Sequence, residues 1–256
     1  MEAIFYLFWF YTNMQIQSHI HHNNFTNFNG LRQVINASTI ADFLKKTQNI
    51  ADIDVFEKTY EKGKLKLKPK KVALIKCKVS RKEEKDSKIL YCLFDKNYTN
   101  AKTVEDIDAC ELGLAEVKYK NLKDATLQQG SEREIASVRA LKKAYKEGLK
   151  ILHLISFEGD KYKGIGTTLL DTIVQKSKEM GLGGKVFLYA KNLFPEQYLK
   201  NSAYCKKMAN KSPIKFYYNY GFRADETANR LLETGKEIDG FTLHLPQATI
   251  NQKLSK

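Results

Sequence analysis

The sequence predicts an α+β protein: a mixed, mostly antiparallel, twisted sheet flanked by helices in residues 64–256, preceded by an N-terminal extension over residues 1–63. Three observations carry this expectation. Apolar, β-branched stretches at 72–79, 89–94 and 110–119 succeed one another, the first two joined by a charged turn, as antiparallel strands do. A strand, a glycine turn and an amphipathic helix follow one another from Leu152 to Leu170. A further short apolar strand, 185–190, comes after that helix.

In chain order, residues 3–11 form an unbroken apolar and aromatic run. About nine residues fall short of the roughly twenty needed to span a bilayer. Glu2 before the run and Thr12-Asn13-Met14 after it lack the basic flank and small-residue cleavage point of a signal peptide, so the run is expected to pack on the core. His19, His21 and His22 cluster without an acidic or cysteine ligand nearby, which suits a polar loop better than a zinc site. Ser38 or Thr39 can cap a helix passing through Phe43 and Leu44 toward Val55 and Tyr60, with a break near Asn49. Residues 61–71 hold six lysines among eleven positions, with Leu65 and Leu67 alternating between them. That composition reads as a solvated connector rather than a basic edge strand.

Further along, Ser131-Glu132-Arg133-Glu134 forms a capping box. Ile135, Val138, Leu141 and Tyr145 then share a helical face until Gly148 ends the element. The helix from Ile165 to Met180 should bury Ile165, Leu169, Leu170, Ile173 and Val174 against the sheet. After Pro195, a helix through Tyr198, Leu199 and Met208 is expected. A short helix follows, capped by Ser212, begun by Pro213 and closed by Gly221 in a left-handed conformation.

Composition sets outer limits. At 256 residues the chain can bury one good-sized core, or one domain plus an extension. A net charge of +14 could attract nucleic acid, acidic protein or an anionic surface, but no nucleic-acid recognition motif accompanies it. Cys77, Cys92, Cys110 and Cys205 fall at no metal-binding spacing, so no metal is expected; buried free thiols point to a cytoplasmic setting.

The chemistry concentrates at the glycine turn. Two glycines let backbone approach an anion, and the first N–H groups of a helix point at it with the helix dipole behind them. Spacing separates the known anion turns. A Walker loop needs Lys and Ser or Thr after its second glycine, whereas Ile165 and Gly166 follow Gly164. A dinucleotide fingerprint needs a small residue where Leu169 stands.

What remains, Lys161-x-x-Gly164-x-Gly166, resembles the pyrophosphate turn of the GNAT superfamily of N-acyltransferases: Arg or Gln, two residues, Gly, one residue, Gly or Ala. A second hallmark of that family resembles the segment from Asn210 to Phe222, with Ile214, Phe216, Tyr217 and Gly221 at matching positions. Lys161 replaces the usual Arg or Gln, and Pro213 fills a small-residue slot. The resemblance implies that acetyl-coenzyme A is a cosubstrate, its pyrophosphate held at Lys161, Lys163, Gly164, Ile165, Gly166 and Thr167. It also implies a pantetheine arm along Leu154, Ile155 and Ser156, a cofactor contact at Asn210, and Tyr217 as the acid that protonates the departing thiolate. The helix at 131–147 and the stretch 192–209 depart from the family pattern as insertions beside the acceptor's entry.

The resemblance further implies transfer of an acetyl group to a primary amine of a small molecule or protein by direct attack. An RNA-linked amine such as aminoacyl-tRNA, or a noncatalytic acyl-coenzyme A binding module, stands as the alternative. An alkylammonium must lose a proton first, for which Glu116, Glu158, His153 or a water chain are candidates. The acceptor itself is not legible in the sequence.

Overall fold

The computed structural model describes residues 40–78, 88–123, 131–190, 213–234 and 241–255. The N-terminal aromatic run, the histidine cluster, the 192–209 insertion, Cys205, Asn210 and Ser212 lie outside these residues.

In order the elements are α1 (Ile40–Lys46), β1 (Thr47–Glu61), β2 (Lys64–Lys78), β3 (Lys88–Asp95), a 3-10 turn (Lys96–Asn100), α2 (Val104–Ala109) and β4 (Glu111–Asn121). Then come α3 (Glu132–Ala144), β5 (Glu147–Ser156), β6 (Tyr162–Lys163), α4 (Ile165–Glu179), β7 (Val186–Ala190), α5 (Ile214–Tyr220), α6 (Glu226–Glu233), β8 (Phe241–His244) and α7 (Gln247–Leu254). The strands form one open sheet of eight in the order β6-β1-β2-β3-β4-β5-β7-β8. Every neighbouring pair is antiparallel except β5 and β7. The fold is therefore α+β, with a mixed, mostly antiparallel sheet flanked by helices.

Two expectations for the first third are corrected. The helix begun near Ser38 ends at Lys46 instead of running on to Tyr60, and the Thr47 hydroxyl donates to the carbonyl of Phe43 at 2.8 Å as the chain turns extended. Ile50, Ile53, Val55, Phe56, Thr59 and Tyr60 are β-branched or aromatic, and they favour the pleated strand that the partner β2 offers. The lysine-rich stretch expected as a connector is the turn and first half of β2. Lys62 and Gly63 both take positive φ, 51° and 75°, the requirement of a two-residue hairpin turn whose twist matches its strands. β1, assigned by sequence to the extension, thus pairs with β2 along its whole length. Lys66 and Lys68 pair with Glu61 at the exposed tip.

α4 lies across one sheet face. Its five expected residues, Ile165, Leu169, Leu170, Ile173 and Val174, are all buried, against Tyr91, Leu93, Ala115, Val117 and Ile151 among others. Each such side chain contributes about 1.5–3 kcal/mol on burial. On the opposite face α1 and α2 cover a second core of Phe43, Ile75, Cys92, Phe94, Ile107 and Leu114. Cys77 and Cys92 are buried free thiols there; Cys110 is half-buried.

α3 carries the expected capping box: the Ser131 amide donates to Glu134 at 2.8 Å and the Glu134 amide to the Ser131 hydroxyl at 3.3 Å. It ends at Ala144, and Gly148 belongs to β5 rather than to the helix end. Leu141 and Tyr145 are buried as expected, but Ile135 and Val138 only partly, because Ser137 faces β8 and its hydroxyl accepts the Thr242 amide at 3.1 Å. Among the described residues no helix is long and apolar enough to cross a membrane.

One glycine fixes how closely α4 meets the sheet. A Cβ on Gly113, in β4, would stand 2.6 Å from Ile165 Cγ2 and 2.7 Å from the Ile155 carbonyl oxygen. A backbone carbonyl inside a paired strand cannot give way cheaply. Gly113→Ala is therefore expected to destabilise the protein by about 1–3 kcal/mol in urea unfolding, although alanine is the better strand residue.

Candidate functional site

The site begins where two parallel strands part. β5 pairs with β4 from Glu147 to Ser156, but on its other side it meets β7 only at Leu149–Val186, Lys150–Phe187 and Ile151–Leu188. β7 continues to Ala190 beside β8. The cause lies on the β4 side. His153 faces Glu116 and Ile151 faces Val117, so Leu152 is an extra residue, a bulge that bends and twists β5 away from β7. Beyond Ile151 one edge of β5, with the backbone of Leu154, Ile155 and Ser156, has no strand beside it among the described residues.

That open edge runs into the glycine turn. The Phe157 amide donates to the Leu112 carbonyl at 2.9 Å, and the Glu158 carbonyl accepts the amides of Lys161 at 3.1 Å and Tyr162 at 2.8 Å. The turn is pinned from outside by β1: Phe56 and Glu57 pair with Lys163 and Tyr162, the Lys58 amide donates to the Lys161 carbonyl at 2.8 Å, and the Lys58 ammonium donates to the Gly159 carbonyl at 2.7 Å. Tyr162 is buried, and the ammonium groups of Lys161 and Lys70 lie 5.3 and 5.7 Å from its ring centroid. Lys70 also pairs with Asp95 at 2.6 Å, and that contact holds the lysine above its usual pKa.

Gly164 takes the first non-helical position of α4, with φ 100° and no side-chain cap. The first N–H groups of the helix, on Ile165, Gly166 and Thr167, thus point outward with the helix dipole behind them. Lys161, Lys163 and Thr167 are exposed around them, and open space surrounds the place a Gly164 Cβ would occupy. The sequence-assigned cofactor residues Leu154, Ile155, Ser156, Lys161, Lys163, Gly164, Ile165, Gly166 and Thr167 are therefore contiguous along one edge and turn.

α5 closes the far side. A Cβ on Gly166 would lie 2.9 Å from Cζ of Phe216, so the phenyl ring rests on the turn itself. Tyr217 is buried behind it, edge-on to Phe216 and Phe222 with centroids 5.2 and 5.7 Å away. Burial pushes its pKa far above that of an ordinary phenol, so it stays protonated; no hydrogen bond to its hydroxyl appears among the described residues. Its neighbours do other work. Tyr220 donates to Asp171 on α4 at 2.5 Å, and Tyr218 donates to Glu233 at 2.9 Å under the Arg223 guanidinium.

Of the three candidate bases, two come together. Glu116 is buried, with Lys88 Nζ at 2.9 Å and His153 Nε2 at 3.6 Å from its carboxylate oxygens. Glu158 lies past the end of β5, in the turn. Gly113, Leu152 and Lys58 shape the site and were not singled out by sequence, whereas Phe216 stood in the second motif without a role assigned to it. A glycine within a strand pattern marks a bulge or a close backbone approach, so Gly113 at least carried a signal. Among the described residues no cluster of histidine, cysteine, aspartate and glutamate could hold a metal ion.

Gly164 separates strain from collision. Gly164→Ala meets nothing within 4 Å, yet a side chain at this φ costs about 1–3 kcal/mol. Urea unfolding should register that loss, and Gly164→Asn, which tolerates left-handed backbone better, should register less. Set against known proteins, the chain matches no family model and no curated protein.

Proposed function

We propose that this chain is a GNAT-like N-acetyltransferase that moves an acetyl group from acetyl-coenzyme A to a primary amine. The single observation that carries the reading is the parted β5–β7 pair, whose free edge leads directly into the uncapped N-terminus of α4. An extended amide-bearing arm can add to that edge as a strand would, and a diphosphate can sit on the helix N–H groups beyond it.

In this reading the N–H groups of Ile165, Gly166 and Thr167 take the pyrophosphate, with Lys161 and Lys163 adding charge-assisted contacts from the exposed side. Leu154, Ile155 and Ser156 pair with the pantetheine arm, and a main-chain N–H among them donates to the thioester oxygen as it gains charge. The amine attacks the carbonyl carbon, the C–N bond forms and the C–S bond breaks. Tyr217 gives its proton to the departing sulfur. For isolated groups this transfer is uphill by roughly 2 kcal/mol, since a phenol has a pKa near 10 and a thiol about 8.5. Burial raises the phenol further, but the same dry pocket destabilises the thiolate, so the two shifts offset. The setting proposed is the cytosol, in keeping with free thiols at Cys77 and Cys92 on paired strands.

Calorimetry should detect acetyl-coenzyme A binding, and its absence would remove the proposal. Tyr217→Phe discards a hydroxyl with no hydrogen-bond partner among the described residues, so thermal midpoint and cofactor affinity should stay put while turnover falls roughly tenfold or more. Unaltered turnover would take Tyr217 out of the mechanism.

A further inference from the structure

The sheet face opposite α4 carries a charge pattern that the cofactor half of the site does not use. Register makes Lys88 on β3 the direct neighbour of Lys118 on β4, and Lys118 the direct neighbour of Lys150 on β5. Three lysines therefore stand abreast across three strands. Directly opposed residues lie about 5 Å apart at Cβ, where like charges repel. The bulge at Leu152 returns His153 to the same face as Lys150, and Glu116, two residues before Lys118, completes the set.

The charges do not balance. Lys88 is offset by the buried Glu116 carboxylate at 2.9 Å. Among the described residues no ion pair involves Lys118 or Lys150. Lys150 is half-buried, and burial together with the nearby Lys120 holds its pKa below that of an ordinary lysine. A cation withdrawn from water beside other cations is costly to keep unless an anion visits it. Access remains: α3 packs on β8, α1 and α2 cover the apolar end around Phe94, and Lys88, Lys118, Lys150 and His153 all stay partly exposed. His153, on the same face as Lys150, adjoins Leu154 on the stretch of β5 beyond its pairing with β7.

We infer that the acceptor is a small zwitterionic amine whose nitrogen lies toward Glu116 and His153 and whose carboxylate or phosphate rests on Lys118 and Lys150. The inference rests on the acyltransferase reading. Two residues along a strand span nearly 7 Å, so the acid group stands roughly 5–8 Å from the nitrogen. The row is three lysines wide, which suits one or two anionic groups rather than a long polyanion. Of the two protons the ammonium gives up, one leaves through the Glu116–His153 pair to solvent. The other balances the proton that Tyr217 gives the thiolate.

The test measures transfer from acetyl-coenzyme A to matched amines: 4-aminobutyrate against butylamine and O-phosphoethanolamine against ethanolamine, with spermidine and an aminoacyl-tRNA as the polycation and the polyanion. Each acid-bearing amine should exceed its neutral partner in kcat/KM by about tenfold or more, the scale of one charge-assisted contact. Lys118→Gln and Lys150→Gln, separately and together, should erase the advantage through KM, and Lys118→Arg should keep most of it. Lys178→Gln, on the exposed end of α4, controls for net charge and should change nothing. Equal rates within each pair, a preference for spermidine, or a preference for aminoacyl-tRNA over both small acids would overturn the inference and leave the acyltransferase reading intact. Failure of acetyl-coenzyme A to bind would instead sink that reading. Direct titration of O-phosphoethanolamine into the wild type and Lys118→Gln then judges the anion seat alone: loss of binding in the variant supports it, and equal binding overturns it.

Discussion

The parting of β5 from β7 after Ile151 is the constraint on which the rest of the molecule depends. A sheet interior normally satisfies both edges of each strand, and a buried backbone polar group left without a partner costs about 1–3 kcal/mol. Among the described residues β5 beyond Ile151 is paired on one edge only, and its pairing with β4 from Glu147 to Ser156 and the packing of α4 across one face hold it in place. Gly113 lets Ile165 and the Ile155 carbonyl come close enough for that packing. The bulge that opens the edge is thus paired with a glycine that holds the opened strand down. Neither device makes sense without the other.

The turn after β5 is held from a distance. The β1–β2 hairpin reaches round to bind it through Phe56, Glu57 and Lys58, so β1, four places from β5 in the sheet's pairing order, becomes a support for the helix N-terminus. A glycine turn with uncapped amides would otherwise sample many conformations and gain little from binding an anion. Pinning it by three backbone contacts and the buried Tyr162 ring fixes the amides in advance. The aromatic segment of α5 completes the arrangement with divided roles: Phe216 rests on the turn, Tyr220 ties α5 to α4, and Tyr217 keeps a protonated hydroxyl inside.

What was legible in the sequence follows from the range of the forces involved. The α4 face, the capping box of α3, the glycine turn and three of the central strands rest on local periodicity and local hydrogen bonding, and they stand where residue patterns put them. The errors fall where pairing with a distant segment decides. Residues 47–61 contain enough apolar spacing to pass for a helix, and only the presence of β2 alongside makes them a strand. The lysines of 64–71 look like a solvated connector because the tip of that hairpin is solvated on both faces. Leu152 could not be identified as a bulge from its neighbours, since the extra residue exists only relative to the register with Val117 and Glu116. The meeting of Glu116 and His153 has the same origin: two residues far apart in the chain become a pair once register is set.

Register also changes what the net charge of +14 means. Many lysines are solvated and locally offset: Lys66 and Lys68 by Glu61, Lys71 by Asp54, Lys96 by Asp52, Lys46 by Asp42. Such exposed pairs contribute little to stability and are screened by salt at long range. Lys118 and Lys150 differ in kind, because they are partly withdrawn from water and their nearest charged neighbours across the strands are other lysines. Screening by mobile ions is weakest where water is scarce, so the field of these two residues persists when that of the hairpin tip is quenched. Total charge therefore says less about what this surface attracts than the burial of individual ammonium groups does. Strand register, which sets Lys88, Lys118 and Lys150 abreast, decides where positive charge gathers on this sheet face.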